Sequence, residues 1–225
     1  MDRRRFWHDP LPIVLAPRRK RMIRRKPGKN DAAESPIDVA TGWLLSARRV
    51  ESPNRDARPP GARTDLIVIH GISLPPGEFG GPWIDQLFTN TLPPQAHPYF
   101  ATIADRQVSA HLLIDRRGHI TQYVPFQERA WHAGPSSYEG RTACNDYSIG
   151  IELEGTDSTP YADAQYVALA RMVCALCEAY PDLKPLRLAA HSDIAPGRKT
   201  DPGPSFDWPR LKTLIALEQS SSPGY

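Results

Sequence analysis

Read for the spacing of its apolar positions, the chain alternates between short strand-like runs and longer helical stripes. Leu66-Ile-Val-Ile69 is a continuous apolar run, as expected of a strand covered on both faces. Tyr147 to Glu154 alternates strictly, with Ile149, Ile151 and Leu153 facing one way and Gly150, Glu152 and Glu154 the other. Two glutamates on one strand face point either to solvent, the usual arrangement, or into a cleft. Gly150 beside them suggests that something approaches the backbone closely. From Pro160 to about Tyr180, the residues Tyr166, Leu169, Ala170, Val173, Leu176, Cys177 and Tyr180 recur at helical spacing, and Pro181 and Pro185 end the stripe. Shorter helices are expected from Pro82 to about Asn90, over Pro98 to Ala104, and from Pro209 to Leu217; Pro82 and Pro209 suit a first helical turn.

Val108 to Ile114 and His119 to Val124 read as two strands joined by Asp115-Arg-Arg-Gly118, and Leu186 to Ala190 as a further strand. Ile37 to Val50 opens the folded body, anchored by Trp43, Leu44, Leu45 and Val50, and the polar residues 51–63 read as a connection. Glu128 to Asn145 has no clear period; with Trp131-His-Ala-Gly134, Tyr138 and Gly140 it has the composition of a cleft-lining loop, or of aromatic packing. Interleaved strands and helices predict a mixed α/β (α+β) fold, a central mixed β-sheet flanked by helices.

Charge changes this picture at one end only. The net charge of +3 hides eleven Lys and Arg against two Asp within residues 1–29, leaving 17 basic and 23 acidic side chains in the remainder. The folded body is therefore acidic, and no nucleic-acid partner is expected for it. Residues 1–36 read as a basic, disordered extension, 37–217 as the folded domain and 218–225 as a flexible tail. Arg3-Arg-Arg-Phe-Trp7 faintly suggests an export signal, but the apolar stretch that should follow is only Ile13 to Ala16. No segment approaches the ~18 apolar residues of a membrane span. Three cysteines, Cys144, Cys174 and Cys177, cannot build a disulfide framework and are expected as buried thiols, in keeping with a cytoplasmic protein, which is expected to be a monomer.

Candidate chemistry gathers in His191-Ser-Asp-Ile-Ala-Pro-Gly-Arg-Lys-Thr-Asp-Pro-Gly203. Its prolines fix φ and its glycines permit bends, so the loop is polar yet stiff. His191 and Asp201 could be two ligands of a metal whose third ligand lies elsewhere, with Lys199 on the same side as Asp201 if that part is extended. A proline-rich surface loop with ordinary charges is the alternative. His70, closing the Leu66–Ile69 run beside Gly71, is a second candidate ligand, or a histidine satisfied by local hydrogen bonds.

Taken together, Ile-Val-Ile-His70-Gly-Ile-Ser-Leu-Pro-Pro-Gly-Glu-Phe-Gly-Gly, Val-Ser-Ala-His111, Ala-Trp131-His-Ala-Gly, Ser-Ile-Gly-Ile-Glu152-Leu-Glu-Gly-Thr-Asp and Arg-Lys199-Thr-Asp201-Pro-Gly-Pro-Ser-Phe-Asp-Trp strongly resemble the AmpD group of cytoplasmic N-acetylmuramoyl-L-alanine amidases. Members act on 1,6-anhydro-muropeptides in cell-wall recycling, and the resemblance runs from about Ile37 to Leu217. It implies one zinc per chain on His70, His191 and Asp201, a catalytic Glu152 and a transition-state-stabilising Lys199. The related peptidoglycan-recognition amidases generally carry cysteine where Asp201 stands. Gly71 replaces a familiar asparagine, and Gln107 and Ala143 stand where arginines are found, with Arg106 and Arg141 near enough to substitute. Tyr99, Trp131 and His132 are candidate sugar or peptide contacts, and His111 a supporting residue. Glu154 is the rival base, about 7 Å from Glu152 along the same strand face. A non-catalytic peptidoglycan-fragment binding module of the same fold is the alternative function, and a nucleic-acid role for the basic extension a third.

Overall fold

The structure, a computed structural model, describes residues 36–184 and 186–221. Six strands, β1 (Arg48–Arg49), β2 (Leu66–Ile72), β3 (Leu112–Ile114), β4 (Ile120–Gln122), β5 (Ser148–Glu154) and β6 (Leu188–Ala190), form one sheet in the order β6-β2-β5-β3-β4-β1. β6, β2, β5 and β3 run parallel to their neighbours, β3 and β4 pair antiparallel, and β1 runs parallel to β4. The sheet is therefore mixed. Helices α1 (Trp83–Phe88), α2 (Asp163–Ala179), α3 (His191–Ile194) and α4 (Trp208–Ser221) complete the main elements. No helix among the described residues is long and apolar enough to cross a membrane.

The central pair β2–β5 shows why this sheet needs apolar residues on both sides. Ile67 and Ile69 from β2 join Ile149, Ile151 and Leu153 from β5 in one core, closed by Leu169, Val173 and Leu176 of α2 and Leu211 and Ile215 of α4. Leu66 and Val68 face the opposite way, into a smaller cluster with Ala133, Tyr147 and Ile194. A third cluster, around Phe88, Phe100 and Tyr123, packs behind the 83–104 region.

α2 begins three residues after Pro160, because Tyr161 is drawn into the core and its hydroxyl donates to the Pro202 carbonyl at 2.9 Å. Gln165 then caps the helix, its Oε1 accepting from the Ala162 N–H at 3.0 Å. Its amide nitrogen donates to the carbonyls of Ile114 and Glu154, fastening α2 to the ends of β3 and β5. Cys174 and Cys177 sit in the interior of α2 as free thiols, and burial pushes both upward, the first to about 11.

Several expected boundaries move. Residues 51–63 are not a plain connection: Arg55–Ala57 pairs antiparallel with Glu128–Ala130, and Ser52 and Asn54 are buried. Glu128 to Asn145 contains that strand and a small hairpin, Ser137–Tyr138 with Arg141–Thr142. The strand expected over 108–114 shrinks to three residues, and the segment at 98–104 makes only a 3₁₀ turn, Phe100–Thr102. α4 continues past Leu217 to Ser221. The extension lies outside the described residues up to residue 35, as do residues 222–225.

Candidate active site

His70 does not end its strand. β2 continues to Ile72, and the parallel register sets His70 directly beside Glu152 of β5. β6 pairs Ala190 with Ile69, so His191, the next residue, emerges one step farther on at the level of His70. There the chain turns into α3 rather than into an open loop, with Asp193 accepting from the Ala190 N–H at 2.8 Å. The stiff segment that follows doubles back. Arg198 and Lys199 donate backbone N–H groups to Ala195, and Ser192 donates to the Asp201 carbonyl at 3.0 Å. This return brings Asp201 to His191 across ten residues of sequence.

The three side chains meet at one point. His70 Nδ1 lies 2.9 Å from His191 Nδ1, and Asp201 Oδ2 lies 3.1 Å from the latter and 3.4 Å from the former. Among the described residues, this is the His/Cys/Asp/Glu group whose ligand atoms all fall within 4.8 Å of one another. Two ligands held 2.0–2.1 Å from a tetrahedral zinc stand about 3.3 Å apart. The observed separations bracket that value, and two nitrogens and one carboxylate oxygen leave a fourth position free. The donor set fits zinc.

Electrostatics agrees with the geometry. Burial holds His70 neutral, its pKa pushed down to about 4 in spite of the opposing Asp201 contact, so its lone pair is available. Glu152 Oε1 is 4.0 Å from His70 Nδ1, and its Oε2 is buried without a hydrogen-bond partner. Burial first, then the charge of Asp201, raises the Glu152 pKa well above the ordinary value, with Lys199 opposing. A carboxyl so placed can exchange a proton.

Gly71, Tyr99, Arg106, His132, Arg198 and Lys199 line the same cleft, of about 520 Å³, together with Glu152 and the cation-site residues His191 and Asp201. A larger recess, about 1010 Å³, lies beyond the Phe79–Gly81 segment and contains none of the three. Neither glutamate of β5 faces solvent: Glu154 is buried and Glu152 half-buried, and their contacts diverge. Glu154 accepts from the Gly80 N–H and, at 3.3 Å, from the Arg116 N–H, so it clasps the loops beside the cleft.

Trp131 is half-buried and turned away from the cleft, its indole donating to Asp56 at 3.1 Å. Arg141 is likewise engaged elsewhere, paired with Asp65 at 2.7 Å and stacked over Tyr147. His111 is structural: its Nδ1 accepts from the Gly150 N–H at 3.0 Å and its Nε2 faces the Glu128 carbonyl at 3.1 Å. His132 is buried against Gly150, where a Cβ would fall 2.4 Å from its ring, so Gly150 does mark a close approach. Sequence reasoning missed Arg198, which lines the cleft and donates to the Ala133 and Pro135 carbonyls, and Ser148, whose only signal was its place on the Gly150–Glu152 face.

A mixed sheet presenting two imidazoles, one carboxylate and a glutamate of raised pKa in a single cleft defines a site able to hold a metal ion. Residues 60–204 match the N-acetylmuramoyl-L-alanine amidase family. The chain belongs to that family and is an N-acetylmuramoyl-L-alanine amidase acting in peptidoglycan recycling. It is 62% identical over 177 residues to the 1,6-anhydro-N-acetylmuramyl-L-alanine amidase AmpD of Escherichia coli, covering 79% of this chain and 96% of that one. The crystal structure of a selenomethionine AmpD derivative superposes with a TM-score of 0.77 at 61% identity, covering 80% of this chain and 98% of the other. AmiD from E. coli, in complex with the substrate anhydro-N-acetylmuramic acid-L-Ala-D-gamma-Glu-L-Lys, superposes at 0.50 with 34% identity, covering 70% and 60% of the two chains.

Proposed function

We propose that the chain hydrolyses the amide between the lactyl group of 1,6-anhydro-N-acetylmuramic acid and L-alanine in muropeptides, using one zinc ion held by His70, His191 and Asp201. The observation that carries the reading is the convergence of their three ligand atoms, 2.9–3.4 Å apart, beside the half-buried Glu152. When bound, zinc supplies Lewis-acid polarisation and makes water a usable nucleophile near neutral pH. Glu152 takes the proton of the attacking water and returns it to the departing alanine nitrogen. Lys199, on the rim of the same cleft, stabilises negative charge as it gathers on the carbonyl oxygen, an interaction whose loss typically costs ~3 kcal/mol of barrier. Tyr99 and Arg106 contact sugar or peptide, and His132 acts from behind the cation site. In this reading the enzyme works as a monomer in the cytoplasm, where recovered wall fragments are consumed.

The test joins metal analysis to an assay on an anhydromuropeptide, with sugar and peptide products separated by mass. One zinc per chain, activity lost to a chelator and regained with zinc, and cleavage at the lactyl amide are expected. Full turnover in metal-free protein, or cleavage within the peptide, refutes the reading.

A further inference from the structure

A chain of hydrogen bonds behind the cation site determines where His70 keeps its proton. Ser148 is fully buried, and its hydroxyl lies 2.6 Å from the Cys144 carbonyl. A carbonyl can only accept, so the single hydroxyl hydrogen is committed there. Ser148 Oγ also lies 3.2 Å from His132 Nε2, and with only lone pairs left to offer it must receive a proton from that nitrogen. His132 is buried, and a single-proton imidazole that donates from Nε2 has no hydrogen at Nδ1, which therefore accepts. The atom facing it, at 2.9 Å, is His70 Nε2. That nitrogen donates, and His70 Nδ1 is left with its lone pair directed at His191 and Asp201.

We propose that His132 is a positioning residue which, oriented by Ser148, fixes His70 in the Nε2–H tautomer and so presents Nδ1 to the metal. The inference rests on the zinc reading above and explains side chains that reading leaves unused. On one face of β5 stand Ser148, which orients His132, Gly150, which makes room for its ring, and Glu152, which faces the cation site. The neighbouring Ala133 does for the second ligand what His132 does for the first: its carbonyl lies 3.3 Å from His191 Nε2. One stretch, His132-Ala133, thereby sets both imidazoles with Nδ1 inward. The opposite polarity, with His132 donating to His70, would turn the Ser148 hydroxyl toward His132 and strip its proton from the Cys144 carbonyl. Groups of this kind orient ligands in metal sites generally, and their loss typically weakens metal binding about 10–100-fold.

The first measurement needs no substitution: ¹⁵N–¹H correlation spectra of the histidine rings in the full chain, before and after one equivalent of Zn²⁺. His132 should be protonated at Nε2 and not at Nδ1 in both; a proton on His132 Nδ1 overturns the proposal. Zn²⁺ affinity is then measured by competition with a chelator. His132→Leu should lose about 10–100-fold and Ser148→Ala should move the same way. His132→Asn, whose amide oxygen can accept from His70 Nε2, should recover most of the loss. Zn²⁺ affinity in His132→Leu equal to that of the parent overturns the proposal. If the parent itself takes up no Zn²⁺, the metal reading fails, while the ring spectra still decide the polarity of the chain.

Discussion

Glu152 and Glu154 are two residues apart on one strand face, the first half-buried and the second buried, and the proposed mechanism gives them different work. Changing each to glutamine preserves shape, removes the charge and turns one acceptor oxygen into an NH₂ donor. Glu152 Oε2 has no hydrogen-bond partner to lose, and burial already disfavours its ionised form. Glu152→Gln should therefore leave the melting temperature unchanged or slightly higher. Its turnover should fall by about 10²–10⁴, the usual worth of a general acid–base group, which is roughly 2.7–5.4 kcal/mol of barrier. Glu154 accepts from two backbone N–H groups, Gly80 and Arg116. A glutamine can accept only one of them and turns an NH₂ toward the other, a loss of about 1.5–3 kcal/mol for a charge-assisted bond. Glu154→Gln should melt lower, by about 2–4 °C per kcal/mol for a domain of this size, and still turn over near the parent rate where folded. The assay is cleavage of an anhydromuropeptide at saturating substrate, with zinc content and melting curve recorded on each sample. A zinc-loaded Glu152→Gln protein within about threefold of parent turnover would refute the reasoning, since general acid–base loss cannot be so small. So would a stable Glu154→Gln protein with the larger kinetic defect.

The half-buried Arg58 guanidinium donates to the carbonyls of Asn145, Asp146, Phe126 and Ser148, so Arg58→Met should cost at least about 2–3 kcal/mol in urea unfolding, and an unchanged midpoint would remove Arg58 as a tie between these segments. His111 is pushed down from 6.5 to about 3, by burial first and the Arg58 charge second, so the folded state binds fewer protons than the unfolded one in that window. Its contribution is intact above pH 6.5 and is lost as pH falls toward 3, by up to about 1.4 kcal/mol per pH unit; His111→Gln should show a shallower acid decline, and parallel pH profiles would exclude His111 as a source. Arg106→Ala and Tyr99→Ala, at the exposed rim of the cleft, should raise KM by no more than about fivefold with kcat preserved, whereas a fall in kcat alone would place them in the chemistry.

Local pattern determined more of this protein than its short strands would suggest. The alternation in Tyr147–Glu154 separates Ile149, Ile151 and Leu153 from the polar face in the structure as in the sequence, because a strand's period of two leaves no other choice. The stripe in α2 and the doubly covered run at Leu66–Ile69 are legible for the same reason. The cation-site residues were legible as residue types and as a resemblance, but nothing in the spacing of positions 70, 191 and 201 says that they meet. Their meeting depends on the register of β2 against β5 and β6 and on the return of the chain after α3. Tertiary structure also decided direction. Glu152 and Glu154 share a face, yet one lies beside the cation site and the other clasps loops; Trp131 and His132 are adjacent, yet one turns to Asp56 and the other to His70. Periodicity specifies which side of an element a residue occupies. What that side encounters is set by neighbours far away in sequence, and so is where a buried imidazole keeps its proton.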